Sequence, residues 1–296
     1  MKEEIYLPFF SIKDYKLSYL GKYEICNLPK EKNICKSILK QYGAIIEKNI
    51  KTKLSKTKEI LVIEPHPDDF ALSALGYIQE NMNVTVLNIF SKTKIESFTW
   101  NEHVKISEKE YEDLRMLESQ IAIHDILNYD FKSLKKESTR FKTKTKKEIQ
   151  KDISNAIKKI LLEKKIDIIM IPMGIGEHPD HICVYEAMLD EYHTLNESLK
   201  IILYPEYPYA RCKKSYEHRL TEIKKVFDLE ENIVNIEDKL EEMASVISVY
   251  KSQFDDINKA QMLAIIREDG RAIAKEYDKK SISLVYYKIK DKNDNM

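Results

Sequence analysis

The chain has 296 residues, 43% of them hydrophobic, with 49 basic and 49 acidic side chains and no net charge. That length and apolar content support a sizeable core, and the neutral balance leaves no footprint for nucleic acid or an anionic membrane, so the expected partner is a small molecule. The four cysteines, Cys26, Cys35, Cys183 and Cys212, show no Cys-x-x-Cys pairing, and no apolar run reaches membrane-spanning length or follows a basic amino terminus. Reduced thiols, a cytoplasmic location and no stable membrane insertion are the corresponding expectations.

Residues 1–57 hold too few apolar side chains for an independent core and read as an arm packing on a domain that spans 58–296. In the arm a short hairpin or loop precedes a helix over about 33–50. Residues 60–63, Ile-Leu-Val-Ile, are continuously apolar and mostly β-branched, the mark of a strand buried on both faces, and Pro65 and Pro67 end it by removing two backbone donors. Leu72, Leu75 and Ile78 then recur at helical spacing over 71–78, and a β-rich run at 83–90 completes a βαβ unit. A helix over about 107–124 leads to a short third strand at 126–131. Residues 132–151 are crowded with Lys and Arg; this is either a loop attracting a phosphate-bearing substrate or a solvated loop running into a helix, and the second is the commoner case. A helix over 146–164 precedes a buried strand at 166–172 and another at 200–204. Two amphipathic helical regions fill about 215–275, and a last strand spans 281–289.

Six of the eight prolines, at 65, 67, 172, 179, 205 and 208, lie at or just beyond the ends of three of these strands. In a parallel sheet such ends share one rim, where ligands of open α/β sheets gather. His66, Asp68 and Asp69 follow the first strand, and His178, Asp180 and His181 follow the strand at 166–172, in a stretch that uses two of the six glycines of the chain. Pro179 suits the first position of a helix, which sets His178 and His181 one turn apart and able to face one centre. Two imidazoles and a carboxylate are the donors of a catalytic zinc with one position open to water, so His66, Asp69 and His181 form a candidate metal site; Fe2+ is another divalent ion they admit. Asp68 is then a candidate general base, His178 a candidate oxyanion stabiliser or acid, and Asp180 a candidate orienting group for a histidine. Each motif alone has an ordinary reading as turn or helix-start chemistry; the pair, at the ends of two buried strands, makes a site. His103, His124, His193 and His218 read as surface or structural, and Cys183, two residues past His181 on a helix, as core.

Pro-His-Pro-Asp-Asp-Phe-Ala-Leu-Ser at 65–73 and Gly-Ile-Gly-Glu-His-Pro-Asp-His at 174–181 resemble the paired signatures of the LmbE/PIG-L family of zinc-dependent N-acetylglucosamine deacetylases. The likeness runs from about 59 to 253 and takes in Arg115-Met-Leu-Glu118, Glu206-Tyr-Pro-Tyr-Ala210 and Tyr250-Lys-Ser-Gln253. The resemblance implies a Rossmann-like three-layer α/β sandwich with a mostly parallel sheet and a metal site at the carboxyl ends of its strands. It also implies zinc on His66, Asp69 and His181, with Asp68 as base and His178, supported by Asp180, as a second catalytic histidine. Arg115 and Asp130 are implied contacts to the sugar, although an ion pair with Glu118 is an equal reading of Arg115. The chain departs from many members in having Phe70 where they have an acidic residue and Ala74-Leu75-Gly76 where they have a Gly-Gly pair; neither change removes a ligand. The implied activity is removal of the acetyl group from an N-acetylated amino sugar carried on a small molecule or biosynthetic intermediate. The alternatives are hydrolysis of another small-molecule amide and a catalytically inactive sugar-binding relative. A non-haem iron oxygenase would leave Asp68 and His178 without duties. The sequence does not set the oligomeric state, and a homo-oligomer is admitted.

Overall fold

The computed structural model describes residues 58–92, 108–141, 144–192, 199–250, 252–254 and 257–290, with the backbone of four short strands among the first 27 residues. Those strands, β1 (Ile5–Leu7), β2 (Phe10–Lys13), β3 (Lys16–Tyr19) and β4 (Tyr23–Asn27), pair in sequence order as an antiparallel sheet, more than the single hairpin expected. The helix expected at 33–50 lies outside the described residues, as do His103 and His193.

From residue 58 the order is β5 (Lys58–Glu64), β6 (Met82–Lys92), α1 (Glu108–Ser119), β7 (Asp130–Glu137), α2 (Lys146–Glu163), β8 (Ile168–Pro172) and α3 (Pro179–Tyr192). There follow β9 (Lys200–Tyr204), α4 (Lys213–Val226), β10 (Asp228–Asn235), α5 (Leu240–Ile247), α6 (Lys259–Glu276) and β11 (Ser283–Lys290). The seven strands from β5 onwards form one sheet in the order β10-β11-β9-β8-β5-β6-β7. Its β9-β8-β5-β6-β7 portion is parallel, and β11 runs antiparallel to both neighbours. The chain travels outward from β5 through β6 to β7, then returns to the other side of β5 as β8. Strand order therefore reverses between β5 and β8, and a crevice opens at their carboxyl ends.

Alternate strand residues point to opposite faces, which explains the continuous apolar runs of β5, β8 and β9. Leu61, Ile63, Ile169, Ile171 and Leu203 pack with Ile149, Ile153 and Ile157 of α2 and Val184 and Met188 of α3. Ile60, Val62, Met170, Ile202 and Tyr204 pack on the other face with Met243 of α5 and Met262 of α6. Each such side chain contributes about 1.5–3 kcal/mol by leaving water, so the three-layer sandwich is the arrangement that hides both faces.

Three elements differ from expectation. Residues 71–78 are not a regular helix but a π-helical turn, Phe70–Ala74, running into a 3-10 turn, Leu75–Tyr77. Tertiary contacts claim this backbone: the Tyr286 hydroxyl donates to Ser73 O at 3.1 Å, and a Cβ added to Gly76 would lie 2.8 Å from Leu284 Cδ1. The third strand begins later than 126–131, because a π-helical turn, Gln120–Ile126, buries Ile126 and Asn128 (φ 55°) turns the chain into β7 at Asp130. The basic residues that follow belong partly to this edge strand, where Lys132 pairs with Glu163 at 3.2 Å and Lys136 with Asp152 at 2.6 Å, so the solvated reading holds for them. Finally, β10 occupies part of a region read as helical. Its charged sequence pairs along its whole length with β11, and Lys288 and Lys290 reach Glu230 across the strands, a cross-strand complementarity that local propensity does not register.

Candidate metal centre

The turn after β5 is built by its own side chains. His66 N–H donates to Asp69 Oδ2 at 2.7 Å, Asp69 N–H returns to His66 O at 3.2 Å, and Phe70 N–H donates to the buried Glu64 Oε2 at 3.1 Å. Asp68 is held between these bonds at φ 140°, a conformation that costs a residue with a Cβ roughly 1–3 kcal/mol and survives only when its surroundings impose it. Arg115 from α1 does so, donating through Nη2 to Pro67 O at 2.9 Å and to Asp68 Oδ1 at 3.2 Å. Phe70 is fully buried and presents its N–H to this turn.

The turn after β8 needs left-handed backbone at Gly174 (φ 82°) and Gly176 (φ 75°) before α3 begins at Pro179. A Cβ on Gly174 would come within 2.5 Å of Ile182 Cδ1, so the first glycine is required twice over. The turn sets His178 just before α3 and the buried His181 inside its first turn, as the spacing suggested.

Three donor atoms converge between the two turns. His66 Nδ1 and His181 Nε2 are 3.2 Å apart, Asp69 Oδ2 is 3.4 Å from His181 Nε2, and it is 3.6 Å from His66 Nδ1. Ligand atoms around a tetrahedral zinc ion with bonds of 2.0–2.1 Å stand about 3.4 Å from one another, so this triangle fits such an ion. His178 also lies close: its nearest ring nitrogen and those of His66 and His181 fall within 4.8 Å of one another. The electrostatics agree with the geometry. Burial disfavours a charged His66, but hydrogen bonds to Asp180 and Asp69 override it and raise the imidazole to about 9. Burial likewise opposes the Asp69 carboxylate, and His181 and His66 bring it down to about 2. The surrounding carboxylates thus favour positive charge at this centre, which a metal ion supplies in place of a proton. Asp68, by contrast, is raised to about 6 by burial, with Arg115 opposing the shift.

The outward ring nitrogens of His66 and His181 are each held by a carboxylate. Asp180 Oδ2 lies 2.9 Å from His66 Nε2, so Asp180 orients His66 and not His178, a correction to the expected pairing. His178 is instead lowered to about 3, by burial first and then by the neighbouring histidines and Arg140, and its Nδ1 accepts the Asp180 N–H at 3.2 Å. Glu206, fully buried after β9, lies 3.2 Å from His181 Nδ1 through Oε1 and also accepts the N–H groups of Gly174 at 2.5 Å and Ile175 at 3.4 Å. Sequence reasoning gave Glu206 no role; the available signal was a lone carboxylate at the carboxyl end of a buried strand, between two prolines. It also gave none to Thr139 and Arg140, which reach the centre from the loop after β7.

Of the expected sugar contacts, Arg115 lines the cavity but is committed to the turn at 67–68, while Glu118 accepts hydrogen bonds from Ser252 N–H and Oγ–H. Asp130 is not brought to the site: it starts β7 at the amino end of the parallel strands and pairs with Lys164. His124 and His218 are exposed and Cys183 is buried in the core, as expected. The cavity over the centre measures about 390 Å3 and is walled by Leu72, Tyr207, Tyr209 and Phe254, with Gln253 and Arg140 at its polar side.

Fold and site together define an α/β protein with a cluster of histidine and carboxylate donors, able to hold a metal ion, at the switch point of its sheet. Residues 61–192 match the family model described as PIG-L: GlcNAc-PI de-N-acetylase. No curated protein sequence matches the chain. Among solved structures, the zinc-inhibited form of teicoplanin deacetylase Orf2 shares 18% identity at a TM-score of 0.58, over 80% of this chain and 100% of that one. The A40926 pseudoaglycone deacetylase Dbv21 shares 18% at 0.59, over 79% and 98%. The N,N'-diacetylchitobiose deacetylase from Pyrococcus horikoshii shares 18% at 0.55, over 87% and 94%. At these identities the likeness is one of fold. No helix among the described residues is long and apolar enough to cross a membrane.

Proposed function

We propose that the protein is a zinc-dependent N-deacetylase that releases acetate from an N-acetylglucosamine-type conjugate or biosynthetic intermediate in the cytoplasm. The observation that carries this reading is the His66–Asp69–His181 triangle with Asp68 and His178 flanking it in one cavity. The family match and the deacetylases of like fold supply the substrate class.

His66 Nδ1, Asp69 Oδ2 and His181 Nε2 would hold the ion, whose role is Lewis acidity toward an amide carbonyl and a water in the same cavity. Asp68 is the general base. One of its oxygens accepts from Arg115, and the residue lines the cavity. The proton it takes from water is available to the departing amine nitrogen. His178, whose ring stands beside those of His66 and His181, is the group that meets the charge developing on the carbonyl oxygen and assists collapse to acetate and amine. The aromatic walls, Tyr207, Tyr209 and Phe254, suit the apolar face of a sugar ring.

Acetate release from a panel of N-acetylglucosamine conjugates, by zinc-reconstituted wild type beside His66→Ala and Asp68→Asn, tests the reading. Release by wild type alone is expected. Silence across the panel with one zinc per chain would refute amino-sugar deacetylation.

A further inference from the structure

Residues Thr139, Arg140 and Phe141 form a single 3-10 turn between β7 and α2. The turn is moored to the metal centre: Thr139 donates to Asp180 Oδ1 twice, through N–H at 2.7 Å and Oγ1–H at 2.5 Å. Arg140 N–H and Phe141 N–H close on Ser138, at Oγ (3.3 Å) and O (3.0 Å). The mooring delivers the Arg140 side chain into the cavity, where its guanidinium meets His178 Nε2.

That meeting is chemically incomplete. His178 Nδ1 accepts the Asp180 N–H, so the proton of a neutral imidazole sits on Nε2, and the group facing Arg140 is itself a donor. A guanidinium has no acceptor to offer in return. Two donors aimed at one place are satisfied together by an oxygen that accepts from both. The His178 ring centroid is 4.8 Å from that of His66 and 5.0 Å from that of His181, so this oxygen would lie beside the ligand triangle. In amide hydrolysis, that is the position at which the carbonyl oxygen becomes negative.

We propose that Arg140 is a catalytic residue, an oxyanion donor acting jointly with His178 Nε2–H. The proposal rests on the deacetylase reading above. As the water oxygen bonds to the carbonyl carbon, its proton passes to Asp68 and the C=O electron pair moves onto oxygen, where both donors hold it. When the pair returns, the C–N bond breaks, the nitrogen takes the proton from Asp68, and amine and acetic acid leave, the acid releasing its remaining hydroxyl proton to water as acetate.

The test compares metal-loaded wild type, Arg140→Ala and Arg140→Lys on one N-acetylglucosamine conjugate and its N-trifluoroacetyl counterpart, with thermal melts to confirm folding. Loss of an oxyanion donor predicts kcat lower by about 100-fold in Arg140→Ala with KM nearly unchanged, a smaller loss in Arg140→Lys, and partial rescue by added guanidinium. The deficit shrinks on the trifluoroacetyl substrate, whose oxyanion is stabilised by its own fluorines. A raised KM with intact kcat overturns the proposal, because Arg140 then reads a substrate group; so does unchanged kinetics. A separate titration with acetate, the product anion, is independent of turnover and predicts at least roughly tenfold weaker binding by Arg140→Ala, the size of one charge-assisted hydrogen bond. If no conjugate reacts with wild type, the deacetylase reading falls, and the titration still decides Arg140: equal acetate affinity overturns its donor role, and a tenfold loss supports it.

Discussion

His66 and His181 turn opposite ring nitrogens toward each other, Nδ1 and Nε2 at 3.2 Å, because Asp180 holds the Nε2 of one and Glu206 the Nδ1 of the other. With an ion bound in place of the His66 proton, each carboxylate would keep the ring N–H on its own side and leave a lone pair facing the centre. Both carboxylates also accept backbone N–H groups from neighbouring loops, so the tautomers are set by elements distant in sequence. Asp180→Asn and Glu206→Gln should each weaken zinc binding about 10–100-fold, the usual effect of losing such a partner. Competition with a chromophoric chelator measures this, and wild-type affinity in both variants would remove the carboxylates from the design of the site.

Asp68→Asn keeps the shape of the turn and removes the proposed base. Turnover should drop by roughly 10²–10⁴-fold while zinc affinity stays within about threefold of wild type. A parallel loss of metal would instead make Asp68 a ligand and displace Asp69 from that role.

Glu118 links stability to pH away from the metal ligands. Burial raises its carboxyl to about 8, with hydrogen bonds from Ser252 opposing, whereas an unfolded glutamate titrates near 4.5. The folded state therefore holds this proton more tightly. Its contribution to stability is complete below about pH 4.5 and is lost as pH rises through about 8, at no more than ~1.4 kcal/mol per pH unit. Glu118→Gln should flatten that decline. Denaturant unfolding of both proteins at pH 5 and pH 8 checks it, and equal slopes would count against a protonated Glu118.

Gly174→Ala forces a Cβ into left-handed backbone and against Ile182 Cδ1 at 2.5 Å. We expect a loss of about 1–3 kcal/mol from overpacking and strain, and weaker zinc binding because the Gly174 N–H is a donor to Glu206. Adding Ile182→Val should relieve the contact but not the backbone, so calorimetry should show partial recovery; full recovery would mean the φ of 82° matters little.

The legible parts of the sequence were those with a local physical signature. Ile60 to Ile63, Ile168 to Ile171 and Ile201 to Leu203 are apolar at every position because both faces of the sheet are covered, and prolines mark where each run must stop. His178 and His181 share one turn of α3 for the same local reason. The π-helical turn after Phe70, the late start of β7 and the charged edge strand β10 were not legible, because each is decided by its partners: Tyr286 for the first, β6 for the second, β11 for the third.

The same division runs through the site. By itself the sequence determined the donor types, their placement at the ends of buried strands, and the pairing of two motifs into one centre, since these follow from strand burial and helical periodicity. Only the tertiary structure decided which carboxylate holds which histidine, that Arg115 serves Asp68, that Asp130 stands at the far end of the sheet, and that Glu206 and Arg140 enter at all. Those contacts join β7, β8, β9 and α1 across 25 to 114 residues of chain, and a hydrogen bond's direction depends on where the two backbones finally lie, which no local pattern encodes.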